Sequence, residues 1–273
     1  MDDNKKKELT RNARSIRISA LKAIYDSHAS HIGSGYSCVE LLVYLYSCWI
    51  KVSPDTLSDP GRDRFILSKG HAASVYYALL AEFGFFPKEW MLKYCQNGSL
   101  LGGHVDHRVP GVEVSTGSLG HGLPLAVGMA LAAKRNHKRY RVITLLSDGE
   151  MESGANWEGL NMASAQKLDN LVVVVDRNRL QAMGPTEDIL PMKNLAERIR
   201  SFGCACSEID GHDFNQIDSV FNKIPFSEGC PSVIIAHTVK GKGVSFMEND
   251  LKWHYRSPNT EEFRQAVLEL DRE

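Results

Sequence analysis

No apolar run in these 273 residues comes near the ~18 that a transmembrane helix requires, so no membrane partner is expected. The opening MDDNKKKELT has no apolar core of a secretory signal, which makes a cytoplasmic location the expectation. Its lysines read as a solvated end. The formal net charge is only −1, leaving no overall field to draw in nucleic acid or anionic lipid. The six cysteines form no Cys-x-x-Cys pair. Cys204 and Cys206 would share one face of a strand, a weak pointer to a metal or redox site, and buried free thiols of a cytosolic protein are the better reading. No strand is followed by Gly-x-Gly-x-x-Gly, which removes a dinucleotide-binding Rossmann unit. Repeats, low-complexity tracts and linkers are also missing. Residues 1–273 therefore read as a single domain, long enough to bury a substantial core.

What is present is an alternation of short apolar strands and helices. Ile16, Ala20, Ala23, Ile24 and Ser27 fall at helical spacing within residues 8–27. Ser37 to Glu40 has the form of a capping box, opening an apolar helix through Trp49. RFILS (64–68) is a strand, followed by a helix in GHAASVYYALLAEFG that Gly84 can end. Pro87 suits the first turn of a further helix. Then come a small-residue helix over 120–137, the strand RVITLL, a helix over 157–166 and the strand LVVVVD. A helix over 193–202, the strand CSEID, another helix, the strand SVIIA and a closing helix over 260–269 complete the chain. Strands of this length between helices imply an α/β fold, doubly wound, with a mainly parallel sheet and helices on both faces.

One core strand delivers charge at its end. LLSDGEMESG places Asp148 directly after a buried run, and DRNRLQ, beginning at Asp176, leaves the next strand. Open parallel sheets bind ligands at the carboxyl ends of their strands, near a topological switch point. Asn178 lies 30 residues after Asp148, about one βαβ unit, so the two can converge. A carboxylate, an amide oxygen and a backbone carbonyl make a hard oxygen shell. That shell suits Mg²⁺ or Ca²⁺ completed by phosphate and water, and it is poor for zinc. Gly149 allows close approach of a diphosphate. The simpler alternative is that Asp148 caps the next helix and Asn178 closes an Asx turn.

The stretch SDGEMESGANWEGLNMASAQKLDNLVVVVDRNRLQ resembles the thiamine diphosphate motif of transketolases. It has Asp-Gly-Glu, an acidic glycine-containing loop, a Trp-Glu helix, Asp-Asn-Leu, a strand and Asp-x-Asn-x-x-Gln. Four histidines stand in similar contexts: His31 in SHIGSG, His71 in LSKGHAAS, His104 in LGGHVD and His254 in HTVKGKGVSFMENDLKWHY. STGSLGHGLPLAVGMALA resembles the segment that passes beside the cofactor. The resemblance runs over roughly residues 10 to 260. It implies the thiamine diphosphate-binding fold, with metal ligands Asp148, Asn178 and the Leu180 carbonyl. The metal implied is Mg²⁺, with Ca²⁺ or Mn²⁺ as substitutes. Implied cofactor contacts are His71, Gly117, Ser118, Leu119, Asp148, Gly149, Glu150, Asn178 and His254. His31, His71, His104 and His254 are the implied catalytic groups, since imidazoles exchange protons with sugar hydroxyls near neutral pH.

By the same resemblance the chain is the amino-terminal subunit of a split transketolase. That enzyme moves a two-carbon ketol unit from a ketose or ketose phosphate to an aldose or aldose phosphate. A carboxy-terminal subunit would carry the pyrimidine-binding domain in an α2β2 assembly, and this chain by itself should be inactive. The alternatives are a deoxyxylulose phosphate synthase-like subunit, a 2-oxo acid dehydrogenase alpha-like subunit, or a non-catalytic regulatory subunit of the same fold. The four sugar-facing histidines favour the transketolase. Some positions depart from the family pattern. Ser147 stands where Gly is usual, and Ser153 stands where a Glu links active sites across a dimer, with Glu152 one place earlier. His121 replaces Gln, Val105 replaces Pro and Tyr255 replaces Gly, changes that bear on substrate recognition and leave the metal ligands untouched.

Overall fold

The structure is a computed structural model describing residues 1–272. Its strands are β1 (Arg64–Leu67), β2 (Val142–Ser147), β3 (Leu171–Arg177), β4 (Ala205–Asp210) and β5 (Ser232–His237). They form one parallel sheet in the order β1-β2-β3-β5-β4. The valine run makes β3 a central strand, because both of its faces are covered. Val172 and Val174 enter one core, and Val173 and Val175 the other. β4 is a half-exposed edge carrying Glu208 and Asp210, charges that discourage further strand pairing.

Helices in chain order are α1 (Asp3–Ser27), α2 (Ile32–Tyr36), α3 (Val39–Tyr44), α4 (Ala73–Glu82), α5 (Gly122–Arg135), α6 (Gly154–Ala165), α7 (Thr186–Ile189), α8 (Leu195–Ser201), α9 (Phe214–Phe221) and α10 (Thr260–Leu270). The first core joins α1–α4, α9 and α10 to the sheet, and the second joins α5, α6 and α8. Helix α1 is amphipathic. Leu9, Ala13, Ile16, Ala20, Ala23 and Ile24 recur at three- and four-residue steps on its buried side. It stops where His28 turns left-handed and its N–H reaches back to the last carbonyls.

Several local expectations change. The lysine run is solvated but helical, because Asp2 caps α1 by accepting from the Lys5 N–H. Ser37 and Glu40 do not form a capping box. The Ser37 hydroxyl bonds to Asp176 and the Ser34 carbonyl, while Glu40 is taken by Arg17 and His212. The helix expected through Trp49 ends as α at Tyr44 and continues as a π-helical turn, Leu45–Trp49. After Pro87 the chain makes 3-10 turns over Lys88–Lys93. All six cysteines are free, but only Cys38 and Cys204 are buried; Cys48 and Cys95 are exposed. Among the described residues no helix is long and apolar enough to cross a membrane.

The register of the sheet decides where ligands can sit. Ser147 pairs with Asp176, and the Asp148 N–H continues the ladder to the Asp176 carbonyl at 3.1 Å. Both exit loops therefore leave from one edge. The reversal of strand order lies between β4 and β5, so β2 and β3 are plain sequential neighbours, not strands flanking a switch point.

Candidate active site

Asp148 is 3% exposed at the end of β2. One carboxylate oxygen accepts from the Gly149 N–H at 2.9 Å, and the other from the Arg179 N–H at 2.6 Å and the Thr186 hydroxyl at 3.4 Å. No basic side chain among the described residues pairs with it. Burial and the neighbouring Asp176 carboxylate push its pKa up to about 6, against the pull of those N–H donors and Lys69. Asn178 faces the same cleft. Its side-chain oxygen accepts from the Leu180 N–H at 3.1 Å, an Asx turn that fixes the backbone leading to the Leu180 carbonyl. The simple structural reading of these two residues is thus realised locally, and Asp148, Asn178 and Leu180 still line one cleft.

The opposite wall of this cleft is imidazole. His31, His71, His104 and His254 come from four separate segments. Ring centroids lie 5.5 Å apart for His31–His71, 5.7 Å for His31–His104 and 4.9 Å for His31–His254. His31 adopts φ +73°, rare for a residue with a side chain. It is held there by its N–H to the His254 carbonyl at 2.8 Å and by Ser30 on Nδ1 at 2.8 Å. Burial keeps three of the rings, those of His31, His71 and His254, uncharged. Burial, then His104 and Lys240, lowers His31 to about 4. Burial, then Lys240 and His31, lowers His254 to about 3, and burial lowers His71 well below its usual range. A neutral imidazole offers one donor and one acceptor, the pair needed to hold or pass a hydroxyl proton. His104 lies against Gly117, where an added Cβ would sit 2.8 Å from its ring.

Two lysines complete the electrostatics: Lys69, which does not stand out in the sequence, and Lys240, the lysine of a Lys-Gly-x-Gly ahead of His254. Lys69 is wholly buried. Its ammonium pairs with Asp176 and donates to the Ser34 carbonyl at 2.8 Å, while Asp176 also accepts from Ser37 and Thr238. The signal is a lysine beside a strand end and an aspartate closing a valine run, since buried opposite charges must find each other. Lys240 reaches the Leu180 carbonyl at 3.1 Å, the Gln181 carbonyl at 3.3 Å and His254 Nδ1 at 3.1 Å. Burial, then Lys69, lowers it to about 8. It precedes Gly241, whose φ of +81° and approach to the Met247 carbonyl leave no room for a Cβ.

Not every expected residue reaches the cleft. Glu150 is fully buried behind it. Its carboxylate accepts from the Ser68 hydroxyl, the Gly120 N–H at 2.9 Å and the Ser147 N–H at 3.4 Å, tying three loops together. It supports the wall and is not itself part of the lining. Ser118 is exposed and not part of the lining, while Gly117, Leu119 and Gly149 do line the cleft. Of the departures, Glu152 bonds to Gln181 at the mouth, Ser153 packs against Gly120, and His121 turns to the Ser118 carbonyl. Val105 is buried, and Tyr255 stands on the rim.

The donor set suits a cation carrying a diphosphate. A buried, unpaired carboxylate, an amide and a carbonyl face it, with Lys240 alongside. Among the described residues no trio of His, Cys, Asp or Glu is placed to hold a metal by itself, so phosphate or water oxygens would complete the shell. Residues 9–270 match the family described as transketolase, thiamine diphosphate binding domain. The chain is 41% identical over 265 residues to a protein of Actinobacillus succinogenes named as one of the subunits of an apulose-4-phosphate transketolase, covering 96% of each. It is 40% identical over 254 residues to the protein of the same name from Phocaeicola vulgatus, covering 93% of this chain and 90% of that one. The solved transketolase of Campylobacter jejuni superposes with TM-score 0.91 at 26% identity, covering 99% of this chain but 43% of that one.

Proposed function

The chain belongs to the transketolase family, through its thiamine diphosphate-binding domain, and we propose that it is the diphosphate-binding subunit of a two-subunit transketolase. The enzyme moves a two-carbon ketol unit from a ketose or its phosphate to an aldose or its phosphate. Thiamine diphosphate, once bound, supplies the nucleophile and electron sink for breaking and remaking the carbon–carbon bond. Asp148, the Asn178 side chain and the Leu180 carbonyl hold the accompanying cation, for which Mg²⁺ fits the oxygen set. Gly117, Leu119 and Gly149 let backbone approach the cofactor, and Lys240 adds positive charge beside the Leu180 carbonyl. Glu150 positions the Gly120 segment from behind.

His31 and His104 hold hydroxyls of the transferred unit, and His71 and His254 face the diphosphate side and the reacting oxygen. The uncharged imidazoles of His31, His71 and His254 can take a hydroxyl proton and return it without a charged resting state. The carrying observation is the meeting of Asp148, Asn178, Leu180 and four histidines in one cleft at the ends of β2 and β3.

A partner subunit bearing the pyrimidine-binding domain completes the site. The cleft holds about 260 Å³ and is open, less than the roughly 300–1,000 Å³ that encloses a drug-sized ligand. Beside it Met183 is 80% exposed and Leu119 is exposed, apolar surface that a second protein would cover. The two bacterial relatives are themselves named as parts of a multi-subunit transketolase, which supports a partner for this chain. An α2β2 assembly in the cytoplasm is the proposed state. The test is calorimetric titration of the assembled subunits with thiamine diphosphate, with and without Mg²⁺, alongside an assay of ketol transfer. Mg²⁺-dependent binding with transfer supports the reading; binding indifferent to Mg²⁺, or no transfer, overturns it.

A further inference from the structure

Tyr255 stands apart from the other large apolar side chains. It is 69% exposed, and among the described residues it is the one aromatic in that exposed set. Its backbone is nonetheless anchored. It closes the 3-10 turn Leu251–His254, in which Trp253 is fully buried and donates its indole N–H to the Phe246 carbonyl at 2.8 Å. On the other side, Arg256 lies over the Trp253 ring and its N–H reaches the Lys252 carbonyl at 3.0 Å. The turn therefore presents the phenol from an anchored backbone into solvent at the cleft mouth.

Inside the mouth, the Tyr255 ring meets His254 edge-on at 4.7 Å and His31 at 6.0 Å. Exposure rises along the cleft from buried Asp148, through half-buried His71, His31 and His254, to Tyr255 at the rim. Tyr255 and the exposed His104 both stand at the opening through which a ligand reaches the other histidines. The Tyr255 hydroxyl has no hydrogen-bond partner among the described residues, so it is open to a ligand.

Building on the transketolase reading, we infer that Tyr255 is a specificity-determining residue that recognises the sugar tail beyond the transferred two-carbon unit. The histidines hold the transferred unit, so the rest of the ketose must extend toward the rim. There the ring offers an apolar face to sugar C–H groups, and the hydroxyl offers a donor to a sugar oxygen. An edge-anchored aromatic loses little side-chain freedom on binding, which makes it an efficient wall.

The test compares two donors with one aldose acceptor in the assembled enzyme. One donor is a six-carbon ketose phosphate. The other is a 3-hydroxy-2-oxo acid, which delivers the same two-carbon unit and releases carbon dioxide in place of an aldose, so it has no tail. For Tyr255→Gly, KM for the ketose should rise about three- to tenfold, as expected for loss of an aromatic contact, with kcat little changed. KM for the oxo acid and the thiamine diphosphate affinity should not move. Tyr255→Phe should recover most of the ketose KM if the ring carries the contact, and only part if the hydroxyl does. Equal changes for both donors, no change for either, or a loss of cofactor affinity would overturn the inference. Failure of the unmodified assembly to use either donor would instead refute the transketolase reading, and the role of Tyr255 with it.

Discussion

A carboxylate buried at the end of a core strand, with backbone N–H groups and one hydroxyl as its partners, costs stability until a cation arrives. Replacing Asp148 by Ala should therefore abolish Mg²⁺-dependent thiamine diphosphate binding. The expected loss exceeds the roughly 10–100-fold that follows removal of a group one layer behind a metal. Titration calorimetry checks it, and unchanged affinity would remove Asp148 from the site. Asn178→Ala should act in the same direction but less, because an amide is a neutral ligand. His104 separates binding from chemistry. It packs against Gly117 and is not among the proposed cation ligands, so His104→Ala should keep the cofactor while turnover with a ketose falls by about 10²–10⁴, the range of a lost acid–base group. Full activity in that variant would exclude it.

At the scale of elements, the packing of α1 against α3 carries a charge network. Arg17 of α1 pairs with Glu40 of α3 at 2.7 Å, and His212, in the loop after β4, reaches the same carboxylate at 2.9 Å. Burial alone would raise the Glu40 pKa. Arg17 and His212 outweigh it and hold the group at about 2, below its usual 4.5. A depressed carboxyl pKa stabilises the fold above 4.5, and the contribution is lost as pH falls toward 2. The shift corresponds to about 3 kcal/mol. Glu40→Gln should cost roughly that much in urea unfolding at pH 7, and the gap from the parent protein should shrink at pH 3. A gap independent of pH would show that packing, not the ion pair, is responsible.

For the whole molecule the decisive feature is an open cleft. The residues proposed to grip the diphosphate end converge, yet the described residues leave the cleft between them and the histidines open to solvent. A cofactor held at one end lacks a dry pocket, and water weakens every polar contact that steers the reaction. Purified by itself, the chain should show no appreciable ketol transfer. Adding the partner subunit should restore transfer, and light scattering should then report two copies of each chain. Robust turnover by the 273-residue chain alone would refute the two-subunit proposal.

Much of this protein is local and so was legible without coordinates. Helical spacing placed α1, composition placed α5, and the valine run named β3 as a doubly covered strand, because a continuous apolar run has no polar face to turn to solvent. The order of motifs gave Asp148, Asn178 and the four histidines, since each sits in a short text with its own spacing. What the text could not give was pairing over distance. Ser37 and Glu40 have the spacing of a capping box, but Asp176 and Arg17, far away in the chain, compete for them and win. Glu150 reads as a cofactor contact because it follows Asp148-Gly149, and only the approach of Ser68 and Gly120 turns it inward. Lys69 looks like an ordinary surface lysine in sequence, and Lys240 shows only as the lysine of a Lys-Gly-x-Gly, with no partner in view. Tertiary structure buries them beside Asp176 and the Leu180 carbonyl, because a buried charge is stable only where the fold brings it a partner.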